Sequence, residues 1–246
     1  MKILLMNKNY MLDKKNFWEK KILDWEDARY NKTYNKLNFF EKLVNSTNET
    51  LIFRLKITFE HLKPHFKNKK IIEIGCGSGL LAEEIIAAGA LSYTGYDFSE
   101  KAVAKGNAIA KDKKLDNKVN FFAKSVNELE ILDADIIFSL GLTDWLSDEE
   151  IKRLFYISQK AENLHSISEK RKSIGQMLHR LYVFLSYGRK SGGYSPRYLD
   201  AKLISNLISI VTKKNVYKYN HKKMSFGLLL STIKFNNSNL NNIDER

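Results

Sequence analysis

The sequence predicts an α/β protein with a doubly wound, mostly parallel sheet, and three observations support this prediction. From residue 71 onward, apolar runs suited to buried strands alternate with helical patterns, which is typical of a parallel sheet covered on both faces. A turn with three glycines, at 75–79, joins the first of these strands to a helix. The chain has 246 residues, 43% of them hydrophobic, which is enough to bury one complete core.

The periodicities assign the elements in chain order. Amphipathic helices are expected at 14–29 and 50–63, and Pro64 ends the second. The last two strands are expected to form an antiparallel hairpin at the edge of a seven-stranded sheet. The expected strands are 71–74, 92–96, 118–123, 134–140, 163–168, 216–219 and 225–233, and the expected core helices are 79–89, 99–112, 148–161, 171–186 and 197–212.

The same pattern predicts how the chain is organised. We expect an N-terminal helical lid over 1–64 that packs on a core over 65–235. The core is expected to carry a helical insertion at about 169–212, and the asparagine-rich tail, 236–246, is expected to be mobile. The chain contains no apolar run of the roughly 18 residues that a membrane helix needs. It begins without a signal-peptide pattern and has a single cysteine, which together predict a cytoplasmic protein.

The most informative segment runs from Ile71 to Leu80 and reads Ile-Ile-Glu-Ile-Gly-Cys-Gly-Ser-Gly-Leu. A strand followed by bare glycine backbone lets the polar end of a ligand approach the carboxyl edge of the sheet. The next apolar run ends at Asp97, eighteen residues past Gly79, where a carboxylate is placed to accept hydrogen bonds from a ribose. Together the glycines and the acid predict a nucleoside-cofactor site.

The glycine spacing indicates which cofactor to expect. The dinucleotide fingerprint G-x-G-x-x-G has its third glycine one place later, where this chain has Leu80. The form E-x-G-x-G-x-G instead resembles motif I of the class I S-adenosylmethionine-dependent methyltransferases, and the resemblance extends over about residues 70–235. It implies a Rossmann-like fold, S-adenosylmethionine as cofactor, S-adenosylhomocysteine as product, and no metal. The cofactor-binding residues that it implies are Glu73, Gly75, Cys76, Gly77, Gly79, Asp97, Phe98, Ser125, Val126, Leu140 and Tyr30.

Two of these assignments leave an alternative open. Ser125 stands where family members commonly place an aspartate against the adenine, and a hydroxyl is the weaker partner because charge-assisted hydrogen bonds are stronger. The helix that ends near Trp25 and Tyr30 resembles a lid over the cofactor, but simple packing on the sheet is an equal alternative. Cys76 is expected to be a small residue that fills a tight turn.

The fourth strand corresponds to motif IV of the family, and its exit, 142–146, is expected to face the methyl group. The chain has only two prolines, Pro64 and Pro196, so it lacks the Asp/Asn-Pro-Pro-aromatic motif of enzymes that methylate base amines. It lacks the nucleophilic cysteine of cytosine C5 enzymes, since Cys76 lies in the glycine loop. Asp144 stands nearly alone, which disfavours a magnesium site. These exclusions leave O-methylation of a small molecule.

The acceptor is expected in the segment 166–197, which has seven basic residues and one acid, a net +6 of the formal +13 of the chain. Guanidinium groups beside tyrosine hydroxyls suit phosphate or carboxylate recognition, although a solvated basic face is an equal alternative. We expect the glycine-containing loop 190–197 to gate the site. The expected acceptor-binding residues are Trp145, His179, Arg180, Tyr187, Arg189, Tyr194 and Arg197.

The catalytic residues predicted are His165, at the end of the fifth strand, and Asp144, as alternative general bases for a hydroxyl acceptor. A satisfied core histidine is an equal alternative for His165. An acceptor that presents a phosphoryl or carboxylate oxygen is already anionic and needs no base.

The acceptor expected from this cationic segment is a phosphorylated or nucleotide-linked sugar, such as a precursor of a capsular polysaccharide. Carboxyl O-methylation of another metabolite, such as a tetrapyrrole, is one alternative, and RNA methylation on the basic surface is another. A binding protein with a vestigial site and a nicotinamide-dependent reductase are the remaining classes. Membrane insertion is not expected, and the oligomeric state is left open.

Overall fold

The computed structural model describes residues 14–23, 26, 39–183, 185, 196–236 and 240, with only the backbone of 39–48 and 182–183. A first helix, α1, covers 14–23. The core elements follow in the order α2 Phe39–Leu62, β1 Lys70–Ile74, α3 Ala82–Ala87, β2 Ser92–Asp97, α4 Glu100–Asp112, β3 Val119–Ala123, β4 Ile136–Ser139, α5 Asp148–Ile157, β5 Glu162–Ser168, α6 Ile174–Val183, α7 Ala201–Thr212, β6 Tyr217–Tyr219 and β7 Gly227–Ser231.

The seven strands form one sheet in the order β3-β2-β1-β4-β5-β7-β6. Strands β1 to β5 are parallel, whereas β7 runs antiparallel to both β5 and β6. The predicted α/β class, the mostly parallel sheet and the antiparallel edge hairpin are therefore confirmed. Strand order reverses at β1, which pairs with β2 on one side and β4 on the other, and such a switch point creates a cleft at the carboxyl ends of the strands.

Two apolar layers cover the two faces of the sheet. One layer contains Ile57 of α2 and Ile85 of α3 against Phe138 of β4. The other contains Leu154 of α5 and Ile208 of α7. Because both faces are buried, the central strands consist of continuous apolar runs, which is why the sequence pattern located them well.

Several element boundaries differ from the expected ones for local reasons. Helix α3 begins at Ala82 because the segment before it is a turn, and α7 begins at Ala201 because the Asp200 side chain caps it through the amides of Lys202 and Leu203. None of the described helices combines the length and the apolar character needed to cross a membrane.

Candidate active site

The glycine loop is held against the end of β2 by backbone hydrogen bonds. The amides of Gly75 and Cys76 both donate to the Tyr96 carbonyl, at 2.7 and 3.2 Å. The Gly77 amide donates to Oδ2 of Asp97 at 2.9 Å. Gly75 and Gly77 have φ angles of +73° and +55°, which only glycine adopts without strain, so these residue types are required for the turn itself.

Asp97 lies at the carboxyl end of β2, where the sequence placed it. Its Oδ1 accepts from the Ser99 amide at 2.9 Å, and its side chain is buried. Burial raises the pKa of Asp97 to about 6, although the hydrogen bonds from Ser99 and Gly77 act in the opposite direction. The role of Asp97 as ribose ligand stays a prediction.

Glu73 lies beneath the loop rather than at its surface. The Tyr93 hydroxyl donates to Oε2 of Glu73 at 2.6 Å, and burial raises the pKa of Glu73 to about 8. The group is therefore predominantly protonated at neutral pH. Glu73 is therefore paired with Tyr93 of the neighbouring strand, and its predicted contact with the cofactor stays a prediction.

Two residues of the loop, Gly79 and Cys76, pack against buried residues of the core. A Cβ atom on Gly79 would collide with the Phe121 ring, so this glycine makes room for a buried aromatic side chain, and its contact with the cofactor stays a prediction. Cys76 is buried, and burial raises the pKa of its thiol well above the ordinary value. Its sulfur lies 2.7 Å from where a Cβ of Gly95 would stand, so Cys76 fills the turn as expected.

The segment expected at the adenine begins directly after β3. The Ser125 amide donates to Oε2 of Glu128 at 2.7 Å, which closes a short helical turn over Val126–Glu128. The Ser125 side chain also lies in a capping box with Glu128, and together with the Ser125 amide it lowers the pKa of Glu128. Contact between Ser125 and the adenine stays a prediction.

Helix α1 packs against residues that follow β2 and β4. Trp18 and Ile22 pack with Ala102, Phe98 and Trp145, and the Trp18 and Trp145 rings are 4.9 Å apart, edge to face. Phe98 follows β2 and Trp145 follows β4, so the helix covers both strand ends, as a lid would. Tyr30 lies outside the described residues.

Glu26, which follows α1, binds the glycine loop through Ser78 and was missed by the sequence analysis. Its Oε1 accepts from the Ser78 amide at 2.8 Å, and its Oε2 accepts from the Ser78 hydroxyl at 2.6 Å. Nζ of Lys105 lies 3.8 Å from Oε2 of Glu26. The only signal available in the sequence was an acid at the end of an amphipathic pattern, which does not by itself indicate a partner 52 residues away.

The exit of β4 is built around Asp144. Its Oδ1 accepts from the Ser168 amide and its Oδ2 from the Ser168 hydroxyl, both at 2.7 Å. Burial raises the pKa of Asp144 to about 6, and the charges of Arg54 and Arg197 oppose this rise. Leu140 and Gly141 join β4 to this turn, and the Gly141 amide donates to the Ser166 hydroxyl at 2.8 Å. Asp144 therefore lies at the expected place, at the switch-point edge of the sheet.

His165 does not lie at the end of its strand. It is in the middle of β5, fully buried, with Nδ1 2.9 Å from the Ser139 hydroxyl and Nε2 3.1 Å from Oδ1 of Asn163. Burial lowers the pKa of His165 to about 3. Both ring nitrogens are used by neighbours, so the predicted position at the methyl-facing edge is corrected, and the core-histidine alternative describes what the structure contains.

The acceptor side is lined by a cluster of aromatic and basic side chains. The His179 ring is hydrogen-bonded to the Tyr198 hydroxyl, and Arg180 stacks over the Tyr198 ring at 4.9 Å. Phe226 packs against both rings, at 5.6 Å from His179 and 6.0 Å from Tyr198. Tyr198 and Phe226 were missed, because neither stands in a basic run.

The other expected acceptor residues divide into two groups. Arg197 is described, and its Nη1 donates to Oδ1 of Asp148 at 2.9 Å. Tyr187, Arg189 and Tyr194, with most of the predicted gating loop, lie outside the described residues. Among the residues that the structure describes, no group of three or more His, Cys, Asp or Glu side chains is arranged to hold a metal ion.

The sheet order and the glycine loop define a Rossmann-like protein with a nucleoside-cofactor site at the switch point. Residues 71–160 match a family model described as a methyltransferase domain. The structure resembles magnesium protoporphyrin IX methyltransferase of Synechocystis PCC 6803, solved with S-adenosylhomocysteine, with a TM-score of 0.65, 15% identity, and coverage of 88% of this chain and 96% of that one. Residues 71–160 thus match a methyltransferase domain, and the chain shares its fold with a methyltransferase that was solved with S-adenosylhomocysteine.

Two curated relatives each match about a third of the chain. The chain is 29% identical over 91 residues to a tRNA U34 carboxymethyltransferase of Histophilus somni, covering 37% of this chain and 28% of that protein. It is 33% identical over 73 residues to the ribosomal protein L11 methyltransferase of Shewanella woodyi, covering 30% and 25%. The chain thus spans about a quarter of the length of these two relatives.

Proposed function

We propose that the protein transfers the methyl group of S-adenosylmethionine to an oxygen atom of an anionic small molecule. The observation that carries this proposal is the acceptor side of the cleft, where Arg180, Tyr198 and His179 form one contiguous cluster beside the exit of β4. Guanidinium and hydroxyl donors in one cluster are suited to carboxylate or phosphate oxygens. The acceptor that we favour is a phosphorylated or nucleotide-linked sugar.

The residues of the chain would contribute alignment and exclusion of water. The cofactor supplies a sulfonium methyl group, and its transfer is an in-line displacement that depends on the orientation of the acceptor oxygen. The Trp18 and Trp145 rings, which are 4.9 Å apart, would exclude water from that point. Asp144 is the ionisable carboxylate at the exit of β4 that remains a candidate base, since its pKa of about 6 keeps it largely ionised at neutral pH. An acceptor that is already an oxyanion needs no general base.

A carboxylate of a larger metabolite is a related alternative within the same proposal. The observation that favours it is the likeness to magnesium protoporphyrin IX methyltransferase, which extends over 88% of the chain. At 15% identity this likeness concerns the fold, so it suggests the acceptor class only as a hypothesis. Both acceptors share an anionic oxygen, which is the chemistry that the cluster fits.

RNA is the second candidate acceptor. It is supported by the similarity of the central region to tRNA U34 carboxymethyltransferases and by the formal charge of +13. Many lysines, however, lie far from the cleft. Lys67, Lys69 and Lys160 line a groove at the opposite, amino-terminal edge of the sheet, which would not direct RNA to the methyl group.

The two functions can be separated by the fate of a labelled methyl group. Protein and labelled S-adenosylmethionine are incubated with a cell extract, which is then divided into small-molecule, polysaccharide and RNA fractions. We expect label in the small-molecule or polysaccharide fraction. Gly77→Val is the negative control, because a side chain there would collide with the Glu26 carboxylate and distort the loop. Label found only in nuclease-sensitive material would replace this proposal with RNA methylation.

A further inference from the structure

We propose that Arg54 and Arg197 together bind an oxyanion, a carboxylate or phosphate group, that belongs to the methyl acceptor. This inference deepens the proposed function and rests on it for the identity of the ligand as acceptor. Arg54 has no assigned role so far, since it lies in α2, before the methyltransferase core. The two arginines would add a clamp at the exit of β4 to the cluster around Tyr198.

Arg54 is a buried cation without an ion pair. It is only 7% exposed, and Nη2 lies 3.3 Å from the position that a Cβ of Gly141 would occupy, so the missing side chain at Gly141 leaves room for the guanidinium. No carboxylate in the described part of the chain forms a salt bridge with it. Burial of an unpaired charge is costly, and buried charges are ordinarily paired or hold a ligand.

Arg197 presents free donors at the same place. Its backbone amide donates to the Asp144 carbonyl at 2.7 Å, which fixes the residue beside the β4 exit. Only Nη1 is used, by Asp148, whereas Nε and Nη2 are buried without a hydrogen-bond partner among the described residues. Nε and Nη2 form the side of the guanidinium that binds a carboxylate or phosphate through two parallel hydrogen bonds.

Both arginines are close to the segment that carries Asp144: the Arg197 amide donates to the Asp144 carbonyl, and Nη2 of Arg54 lies 3.3 Å from the Cβ position of Gly141. Their charges lower the pKa of Asp144, against the effect of burial. The two Asp144 oxygens, however, accept from Ser168. Asp148, the partner of Arg197, has a side chain that is 73% exposed, so water screens its charge. Nε and Nη2 of Arg197, which have no hydrogen-bond partner among the described residues, therefore remain available to an external anion.

An acceptor anchored here would present its oxygen at the edge of the sheet where the methyl group is expected. A planar guanidinium fork favours a planar carboxylate or a phosphate over a neutral hydroxyl, because the charge-assisted hydrogen bonds are about twice as strong. A lysine would keep the charge but lose the fork. Arg54→Lys therefore distinguishes recognition by the planar guanidinium from attraction by charge alone.

The first test measures anion binding alone. Inorganic phosphate and, separately, acetate are titrated at constant ionic strength into protein saturated with S-adenosylhomocysteine, with binding followed by calorimetry. We expect saturable binding that Arg54→Gln and Arg197→Gln each weaken by about tenfold or more, with Arg54→Lys intermediate. Lys152→Gln removes the same charge from an exposed position on α5 and should bind as the wild type does. Preference for phosphate or for acetate identifies the oxyanion.

The second test connects the anion site to the acceptor. The same variants are assayed for transfer of label into the anionic fractions of the extract, and S-adenosylhomocysteine binding verifies that each is folded. Reduced labelling that is restored by more concentrated extract supports the inference. If Arg54→Gln does not fold, Arg54→Lys and Arg197→Gln decide.

Three results would overturn the inference: no saturable anion binding, equal binding by Arg54→Gln and Lys152→Gln, or unchanged labelling despite lost anion binding. If the wild-type protein labels no anionic fraction, the proposed function is wrong. The titration would still show whether the anion site exists.

Discussion

The Glu26 carboxylate receives two hydrogen bonds from Ser78, one from its amide at 2.8 Å and one from its hydroxyl at 2.6 Å. Ser78 belongs to the glycine loop, whereas Glu26 follows α1. The contact therefore joins the segment after α1 to the loop on which the cofactor is expected to rest. Both hydrogen bonds are buried and charge-assisted, the kind that contributes most to such a contact.

Glu26→Gln should weaken this fastening while keeping the size of the side chain. Charge-assisted hydrogen bonds contribute about 1.5–3 kcal/mol each, so we expect S-adenosylhomocysteine to dissociate at least tenfold faster, with a matching loss of affinity. Stopped-flow displacement and calorimetry measure the two quantities. Glu84→Gln, an exposed acid on α3, is the control. An unchanged or higher affinity would mean that Glu26 competes with the cofactor for the loop.

The pKa of Asp97 predicts how the affinity for the cofactor depends on pH. Its pKa in the free protein is about 6, and ribose hydroxyls that donate to it favour the ionised form, so the pKa should fall in the complex. Binding then releases a proton below pH 6. The affinity for S-adenosylhomocysteine should be constant above about pH 7 and decrease as the pH falls through 6.

Asp97→Asn identifies the group responsible for this pH dependence. The variant should bind more weakly at neutral pH and lose the decrease near pH 6. The neighbouring acid Glu73 has a pKa of about 8, so a transition centred there would point to Glu73 instead. Calorimetry in two buffers of different ionisation enthalpy counts the protons released. If wild type and variant show the same profile, Asp97 is not the ribose ligand.

The parts of the site that the sequence predicted are those formed by local pattern. The loop 75–79 and Asp97 could be recognised because strand, turn, helix and acid follow one another within 30 residues. Glu26, Arg54 and Tyr198 could not, because the residues beside them, Ser78, Gly141 and His179, are distant in sequence. Arg54 did leave one trace, as a charge among the apolar residues 51–59 of its helix, and a charge on a buried face is a reason to look for a ligand.

Gly95 tests whether the glycines of this region serve packing. A Cβ there would lie 2.6 Å from the Phe121 ring and 2.7 Å from the Cys76 sulfur, and the backbone of Gly95 does not have positive φ. Gly95→Ala should therefore destabilise the protein by about 1–3 kcal/mol through overpacking. Gly175→Ala is the matched control, since nothing lies within 4 Å of its Cβ position and alanine favours its helix. Chemical denaturation measures both, and equal stability of the two variants would contradict the packing role.

The His165→Gln variant distinguishes a structural role of this residue from a catalytic one. The neutral ring is bonded to Ser139 and Asn163 inside the sheet, so His165→Gln should lower the free energy of unfolding by about 1–3 kcal/mol. It should leave the rate of methyl transfer per folded molecule unchanged, as measured at saturating cofactor.

The pH dependence of stability gives a second reading of the same residue. The pKa of His165 is about 3 in the folded protein and about 6.5 when unfolded, so the unfolded state binds the proton more readily. The stability that depends on a neutral His165 is fully present above pH 6.5 and is lost as the pH falls toward 3. The His165→Gln variant should lack this part of the acid sensitivity, whereas His61, with a pKa lowered to about 4, retains its own. A variant with full stability but little methyl transfer would return His165 to the list of catalytic candidates.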